Sequence, residues 1–229
     1  MDAVILCGGE GKRLQTVIKD KPKPMAEING RPFLDILLYY ASSYGYERFI
    51  LCAGYMAEVI KGYYCNKSFP FELVISEERV PLGTGGAVRN SKRLIGTADF
   101  LVMNGDSFCP LDLSEFFAFH KKSNALVSMA VREVDDSVDF GSVILDKNKE
   151  IIKFDEKKSG SKALINTGIY LFKKEILSLM PDKTPYSLEL DLFPSLIGKG
   201  IYGFVTRRPF IDIGTPERFK LAQKLFPEF

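Results

Sequence analysis

Two stretches near the start of the chain carry side chains suited to handling phosphate. In Leu6-Cys7-Gly8-Gly9-Glu10-Gly11-Lys12-Arg13-Leu14, glycines and a basic pair follow directly on an apolar run. Glycine lets backbone N–H groups come close to an anion, and an arginine offers forked donors to phosphate oxygens. A dinucleotide fingerprint would need a third glycine where Leu14 stands. A P-loop would need glycine at Leu6 and a hydroxyl residue at Arg13. Neither pattern is present, which leaves a nest for the phosphates of a nucleoside triphosphate or, as the plainer reading, a tight surface turn. Next comes Lys19-Asp20-Lys21-Pro22-Lys23-Pro24-Met25. Its prolines restrict the backbone around Lys23, whose ammonium could face an α-phosphate. Taken alone, the run would pass for a solvated charged loop.

Two carboxylates end apolar strand-like runs. Phe100-Leu101-Val102-Met103-Asn104-Gly105-Asp106 puts Asp106 at the carboxyl end of a buried-strand pattern, and Phe210-Ile211-Asp212-Ile213-Gly214-Thr215-Pro216 brings Asp212 to a turn and a helix start. Carboxylates are hard oxygen ligands, and magnesium on a triphosphate takes one or two of them. A lone Asp after a strand more often caps a turn.

The loop motif followed by Lys21-Pro22-Lys23-Pro24-Met25 resembles the signature of the sugar-1-phosphate nucleotidyltransferases, with Cys7 where alanine is usual. The resemblance covers almost the whole chain. It implies an α/β, Rossmann-like (GT-A-like) fold and transfer of a nucleoside monophosphate to a sugar 1-phosphate with release of pyrophosphate. It implies Arg13, Lys23 and Asp106 as catalytic residues, and Mg²⁺ held by Asp106 and Asp212. Around the nucleotide it implies Leu6, Gly8, Gly9, Gly11 and Gly105. Pro81-Leu82-Gly83-Thr84-Gly85-Gly86-Ala87 looks like the family's base-bordering segment, adding Leu82, Gly83 and Thr84 with glycines that admit a flat base. Glu77 and Glu78, just upstream, could accept from a guanine edge or could be plain exposed glutamates; Glu77 is taken as the contact. The segments around Gly141, Glu156-Lys157 and Asn166-Thr167-Gly168-Ile169-Tyr170 resemble the family's acceptor motifs, implying that Gly141, Glu156, Lys157 and Asn166 bind the sugar phosphate. Ser187-Leu188-Glu189-Leu190-Asp191 also matches a family segment, but its acids would equally suit a helix cap. The Lys23–Gly30 run and Leu-Gly-Thr-Gly-Gly look like the guanylyltransferase branch, which implies GTP as donor. Mannose and hexose or amino-sugar relatives, including uridylyltransferases, are the alternatives within the class. A non-catalytic sensing subunit would be expected to have lost a metal carboxylate or the loop cations, and this chain keeps them.

These groups need a scaffold. Apolar runs at Ala3–Cys7, Arg48–Cys52, Phe71–Ile75, Phe100–Met103 and Ala125–Val131 alternate with helical spacing at Pro32–Tyr44 and Gly83–Leu94. That alternation predicts a mainly parallel central sheet covered by helices, with ligands at the carboxyl ends of its strands. Beyond Asp112 a hairpin at Gly141–Phe154 around Lys147-Asn148-Lys149 and a strand at Ile165–Phe172 predict a mixed-sheet lobe. The expectation is one domain over residues 1–229, with a nucleotide-binding half to about 111 and a sugar-phosphate half from 112, and no C-terminal β-helix.

The chain's 229 residues, 46% hydrophobic and 26% charged, suffice for one sizeable core. Basic residues number 31 against 29 acidic, so no basic face points to nucleic acid. No run reaches the length of a membrane span. The four cysteines are scattered, without a C-x-x-C pair, and fit free thiols in a reducing cytosol. A cytoplasmic monomer or small homo-oligomer, with neither nucleic-acid nor membrane partners, is the expectation. His120, the single histidine, reads as structural.

Overall fold

A computed structural model describes residues 1–11, 13–135, 141–155 and 162–226. At its centre four parallel strands lie in the order β3-β2-β1-β4, with β1 at Asp2–Leu6, β2 at Arg48–Ala53, β3 at Glu72–Glu77 and β4 at Asp99–Asn104. The sequence runs anticipated all four to within about two residues. Their near-continuous apolar character is what burial on both faces requires. Val4 and Ile5 are both fully buried, on opposite faces of β1. Each such side chain contributes about 1.5–3 kcal/mol. The odd-numbered face, with Ile5, Leu51 and Met103, packs under α1 (Phe33–Ser42), α2 (Ala57–Tyr64) and α4 (Leu113–Ser123). The other face, with Val4, Ile50 and Val102, packs against α3 (Gly83–Asn90) and Phe193.

The chain leaves β1 toward β2 and β3, then returns to place β4 on the opposite side of β1. A crevice opens at the carboxyl ends where the winding reverses, the usual binding position in such sheets. Past β4 the sheet turns mixed. The strands β5 (Val127–Val134), β6 (Ser142–Leu145), β7 (Ile151–Asp155), β8 (Ala163–Lys173) and β9 (Ile201–Thr206) bring the described sheet to nine. Here β8 runs antiparallel to β4 and pairs with β5 and β6, while β9 runs parallel to β5. The expected hairpin is β6–β7, and its turn is held by the Asp146 carboxylate, which accepts from Asn148 and Glu150 N–H at 2.9 and 2.8 Å.

A small second ladder matters more for the site. Ser107–Phe108 pairs antiparallel with Ile211–Asp212, and Ile213 N–H donates to the Asp106 carbonyl at 3.1 Å. Helix α5 (Pro216–Leu225) follows, capped by the Thr215 hydroxyl, which accepts from Arg218 N–H. No described helix is long and apolar enough to cross a membrane.

Candidate active site

Two cavities open at the carboxyl end of the sheet, of about 710 and 680 Å³. They share one wall, built from Lys23, Asn104 and Asp106. The first is walled by Leu6–Gly11 after β1, by Gly54 and Tyr55 after β2, by Glu78–Leu82 after β3, and by Gly83, Thr84 and Ala87 of α3. The second is walled by Gly141–Val143, Phe154, Asn166–Gly168, Glu189, Phe193, Phe210 and Asp212 from the mixed lobe, together with Arg13.

The common wall is electrostatically organised. The Lys23 ammonium donates to Asp106 Oδ2 at 2.6 Å and lies 3.5 Å from Asp212 Oδ1. Its side chain is 10% exposed, and that of Asp212 13%. Asp212 also accepts from Arg218 at 2.8 Å and from Gly214 N–H at 2.5 Å. The ladder between Ser107 and Asp212 is what brings two aspartates more than a hundred residues apart onto one lysine. Lys23 is presented by a short 3₁₀ turn, Lys23–Met25, anchored by buried Pro24 and Met25. Asn104 Oδ1 is buried in the same wall with no partner among the described residues. An unmet buried acceptor costs about 1–3 kcal/mol, which a ligand donor would recover.

The donor set also suits a hard cation. No group of three or more His, Cys, Asp or Glu gathers among the described residues. Among the described residues, therefore, no dedicated protein cage forms. Two carboxylates on the wall where two cavities of this size meet are an arrangement in which magnesium can complete its shell from phosphate and water.

Several of the expected residues line the two cavities, and several do not. Leu6, Gly8, Gly9, Gly11, Leu82, Gly83 and Thr84 line the first cavity; Gly141, Asn166 and Asp212 line the second. Arg13 lines the second cavity and not the first. Gly11, at φ +60°, turns the chain, Leu14 N–H bonds back to its carbonyl, and the buried Leu14 side chain leaves Arg13 exposed on the second cavity's side. Glu77 is a correction. It is the last residue of β3, so its side chain points opposite to that of Glu78. Its carboxylate pairs with Lys61 of α2 at 2.7 Å, outside both cavities. Glu78 faces inward over Gly8 and accepts weakly from Leu82 N–H at 3.4 Å, and burial raises its pKa above the ordinary glutamate value. Gly105 lines neither cavity; its lack of a side chain lets β4 close on β1, since a Cβ there would lie 2.7 Å from the Leu6 carbonyl. Glu156 and Lys157 lie outside the described residues.

The glycines of the 82–87 segment are explained differently from the expectation. A Cβ on Gly83 would lie 2.6 Å from the Tyr186 carbonyl, and one on Gly85 2.6 Å from the Tyr186 ring. The Tyr186 segment therefore requires glycine at both positions. Tyr186 N–H donates to the Leu82 carbonyl at 2.8 Å and its carbonyl accepts from Gly86 N–H at 3.0 Å, stitching this segment onto α3. Sequence reasoning missed Asn104 and left Glu189 undecided between ligand and cap. Ser187 is the cap, accepting from Glu189 and Leu190 N–H, and the Glu189 carboxylate turns toward Thr84 instead.

Comparison with known proteins agrees with this geometry. The nucleotidyl transferase family profile matches residues 2–227. The D-glycero-α-D-manno-heptose 1-phosphate guanylyltransferase of Aneurinibacillus thermoaerophilus is 36% identical over 225 residues, 98% of this chain and 97% of that one. The mannose-1-phosphate guanylyltransferase of Mycobacterium tuberculosis is 34% identical over 224 residues, which are 96% of this chain and 62% of that protein. Among solved structures, HddC from Yersinia pseudotuberculosis is 36% identical with a TM-score of 0.87, covering 99% of both chains, and its complex with GMP-PN gives the same values. A profile matched from the first strand to the last helix, over a fold whose crevice carries the motif residues, establishes that the chain belongs to the nucleotidyl transferase family.

Proposed function

We propose that the protein transfers GMP from GTP to D-glycero-α-D-manno-heptose 1-phosphate, giving GDP-heptose and pyrophosphate, and that it works in the cytoplasm to supply surface polysaccharide synthesis such as that of a capsule. The observation that carries the reaction class is the pair of similar-sized cavities meeting at Lys23, Asn104 and Asp106. One suits a nucleotide and the other a sugar phosphate, so the two phosphates would meet at the shared wall. The choice of heptose and GTP rests on the near full-length likeness to heptose 1-phosphate guanylyltransferases. The likeness to a mannose-1-phosphate guanylyltransferase at 34% identity makes mannose 1-phosphate the second acceptor to consider.

The glycine loop, with backbone N–H groups after β1, is assigned to the triphosphate, and Glu78 to the N–H edge of the guanine. A phosphate oxygen of the sugar 1-phosphate attacks the α-phosphorus as the bond to the bridging α,β-oxygen breaks, and pyrophosphate takes that oxygen and its electrons. The attacking phosphate is already ionised, so no side chain need remove a proton. Lys23 lies at the wall both substrates share, where its ammonium would neutralise charge on the phosphate oxygens in the transition state. Arg13 and, outside the described residues, Lys157 are assigned to phosphate charge on the acceptor side. Asp106 and Asp212 would hold Mg²⁺, which when bound supplies further charge neutralisation and orients the phosphates. Holding two anions in line within one crevice supplies the remaining advantage.

The test is pyrophosphate release with each of GTP, UTP, CTP, ATP and dTTP against heptose, mannose, glucose and amino-sugar 1-phosphates, with Mg²⁺ and with EDTA. Metal-dependent release with GTP and the manno-heptose phosphate is expected. Another productive pair would correct the substrate, and nucleotide binding without turnover of any pair would overturn the catalytic reading.

A further inference from the structure

A third cavity, of about 330 Å³, shares no lining residue with the two of the crevice. That size is at the lower end of small-molecule sites, which run from about 300 to 1,000 Å³. One wall is the two-residue turn Asn29-Gly30, both at positive φ (50° and 80°), which closes the short ladder pairing Ile28 with Arg31. The others come from Asp35 and Tyr39 of α1, from Tyr63 of α2, and from Lys67 and Phe69 just beyond it. Asp35 is the most deeply buried residue of the lining, at 5% exposed. Its oxygens accept from the Tyr63 and Tyr64 hydroxyls at 2.8 and 2.6 Å. An ionised carboxylate has about four acceptor positions, so these two bonds leave capacity for a ligand hydroxyl. Two cations stand over rings of the same walls. The Lys67 ammonium is 3.4 Å from the Tyr63 ring centroid, and the Arg31 guanidinium 5.2 Å from that of Tyr39. Among the described residues neither is ion-paired with a carboxylate. A cation held on a ring keeps its charge and its N–H donors for an anion.

We propose that this cavity is a second, non-catalytic binding site for a phosphorylated sugar. Arg31 and Lys67 take the phosphate, and Asp35 accepts from the sugar hydroxyls. Tyr39, Tyr63 and Phe69 supply the apolar surface on which the ring packs. A bare anion would meet the cations but be repelled by the Asp35 charge, whereas a polyol carrying a phosphate satisfies both ends. Tyr39 and Phe69, with ring centroids 6.4 Å apart, tie the α1 side of the cavity to the segment after α2.

The experiment titrates mannose 6-phosphate, which is not a sugar 1-phosphate, into the protein by calorimetry, with inorganic phosphate and unphosphorylated mannose as comparison probes. The variants are Lys67→Gln and Arg31→Gln in this cavity and Asn166→Ala in the second one, each checked for folding by thermal denaturation. Mannose 6-phosphate is expected to bind about tenfold more tightly than either comparison probe. Lys67→Gln and Arg31→Gln are each expected to weaken it about tenfold, as for loss of a charged hydrogen bond, and Asn166→Ala to leave it unchanged. If one glutamine variant does not fold, the other reads the same loss. Binding that is lost in Asn166→Ala and kept in the glutamine variants would place the ligand in the crevice and overturn the proposal. Absence of binding at millimolar concentration, or inorganic phosphate binding as tightly as the sugar phosphate, would overturn it as well.

Discussion

Gly83→Ala should destabilise the protein as a whole rather than merely block a ligand. Gly83 has φ +77°, a region that costs an L side chain about 1–2 kcal/mol. Its new methyl would lie 2.6 Å from the Tyr186 carbonyl oxygen and 3.1 Å from the Tyr186 nitrogen. These are backbone atoms of a segment pinned at both groups, so relief means stretching Tyr186 N–H→Leu82 O or Gly86 N–H→Tyr186 O. Each such bond contributes about 1 kcal/mol net. The sum is about 3 kcal/mol, which for a chain of this size lowers the thermal midpoint by roughly 6–12 °C. Gly9→Ala is the control, because its Cβ would meet nothing within 4 Å and stability should change by less than about 0.5 kcal/mol. Urea denaturation of both variants, with GTP binding measured on each, separates the cases. A Gly83→Ala protein of wild-type stability that has lost GTP binding would refute the assignment of this glycine to Tyr186 and return it to the base.

Other perturbations should behave as follows. Glu78→Gln should raise KM for GTP about tenfold, as expected for loss of a charged acceptor, whereas Glu77→Gln, on the Lys61 side, should leave nucleotide affinity unchanged; calorimetry with GTP decides between them, and equal effects would contradict the facing of the two side chains. Burial raises the Glu78 pKa, so GTP affinity should begin to fall, as pH is lowered, above the pH at which an ordinary glutamate protonates. Asp106→Asn and Asp212→Asn should each cut turnover at least 100-fold and weaken Mn²⁺ binding to the enzyme–GTP complex by electron paramagnetic resonance; unchanged Mn²⁺ binding would remove both from the metal site. His120 is fully buried between Ser128, 2.8 Å from its Nδ1, and Asp99, and burial lowers its pKa to about 4. The unfolded chain takes up that proton near 6.5 and the folded one only near 4, so stability should decline as pH falls through this window, by up to about 3 kcal/mol. Urea midpoints at pH 7.5, 6 and 5 should show the decline in the wild type and a flatter profile in His120→Gln.

The parts legible in the amino-acid order are those governed by neighbours along the chain. An apolar run buried on both faces ends where its polar residues begin, so β1 and β4 and the placement of Gly8 and Asp106 at their ends followed from composition alone. The hairpin around Lys147–Lys149 followed from its turn residues. The signature pairing of the glycine loop with Lys23 was equally readable, because both halves lie within twenty residues.

What tertiary structure decided is direction and partnership over long separations. Adjacent strand residues point to opposite faces, so only the register of β3 on β2 could say that Glu78, and not Glu77, looks into the crevice. The meeting of Asp106 and Asp212 on one ammonium needs a ladder closed across a hundred residues, which no local pattern encodes. Gly83 and Gly85 looked like room for a ligand, yet the space they leave is taken by Tyr186. Thr84 lines the first cavity, but only the fold shows that its hydroxyl gives its one proton to Glu189. Composition and spacing specify which groups are available, whereas the loop closures that packing stabilises determine which of them remain free to meet a substrate.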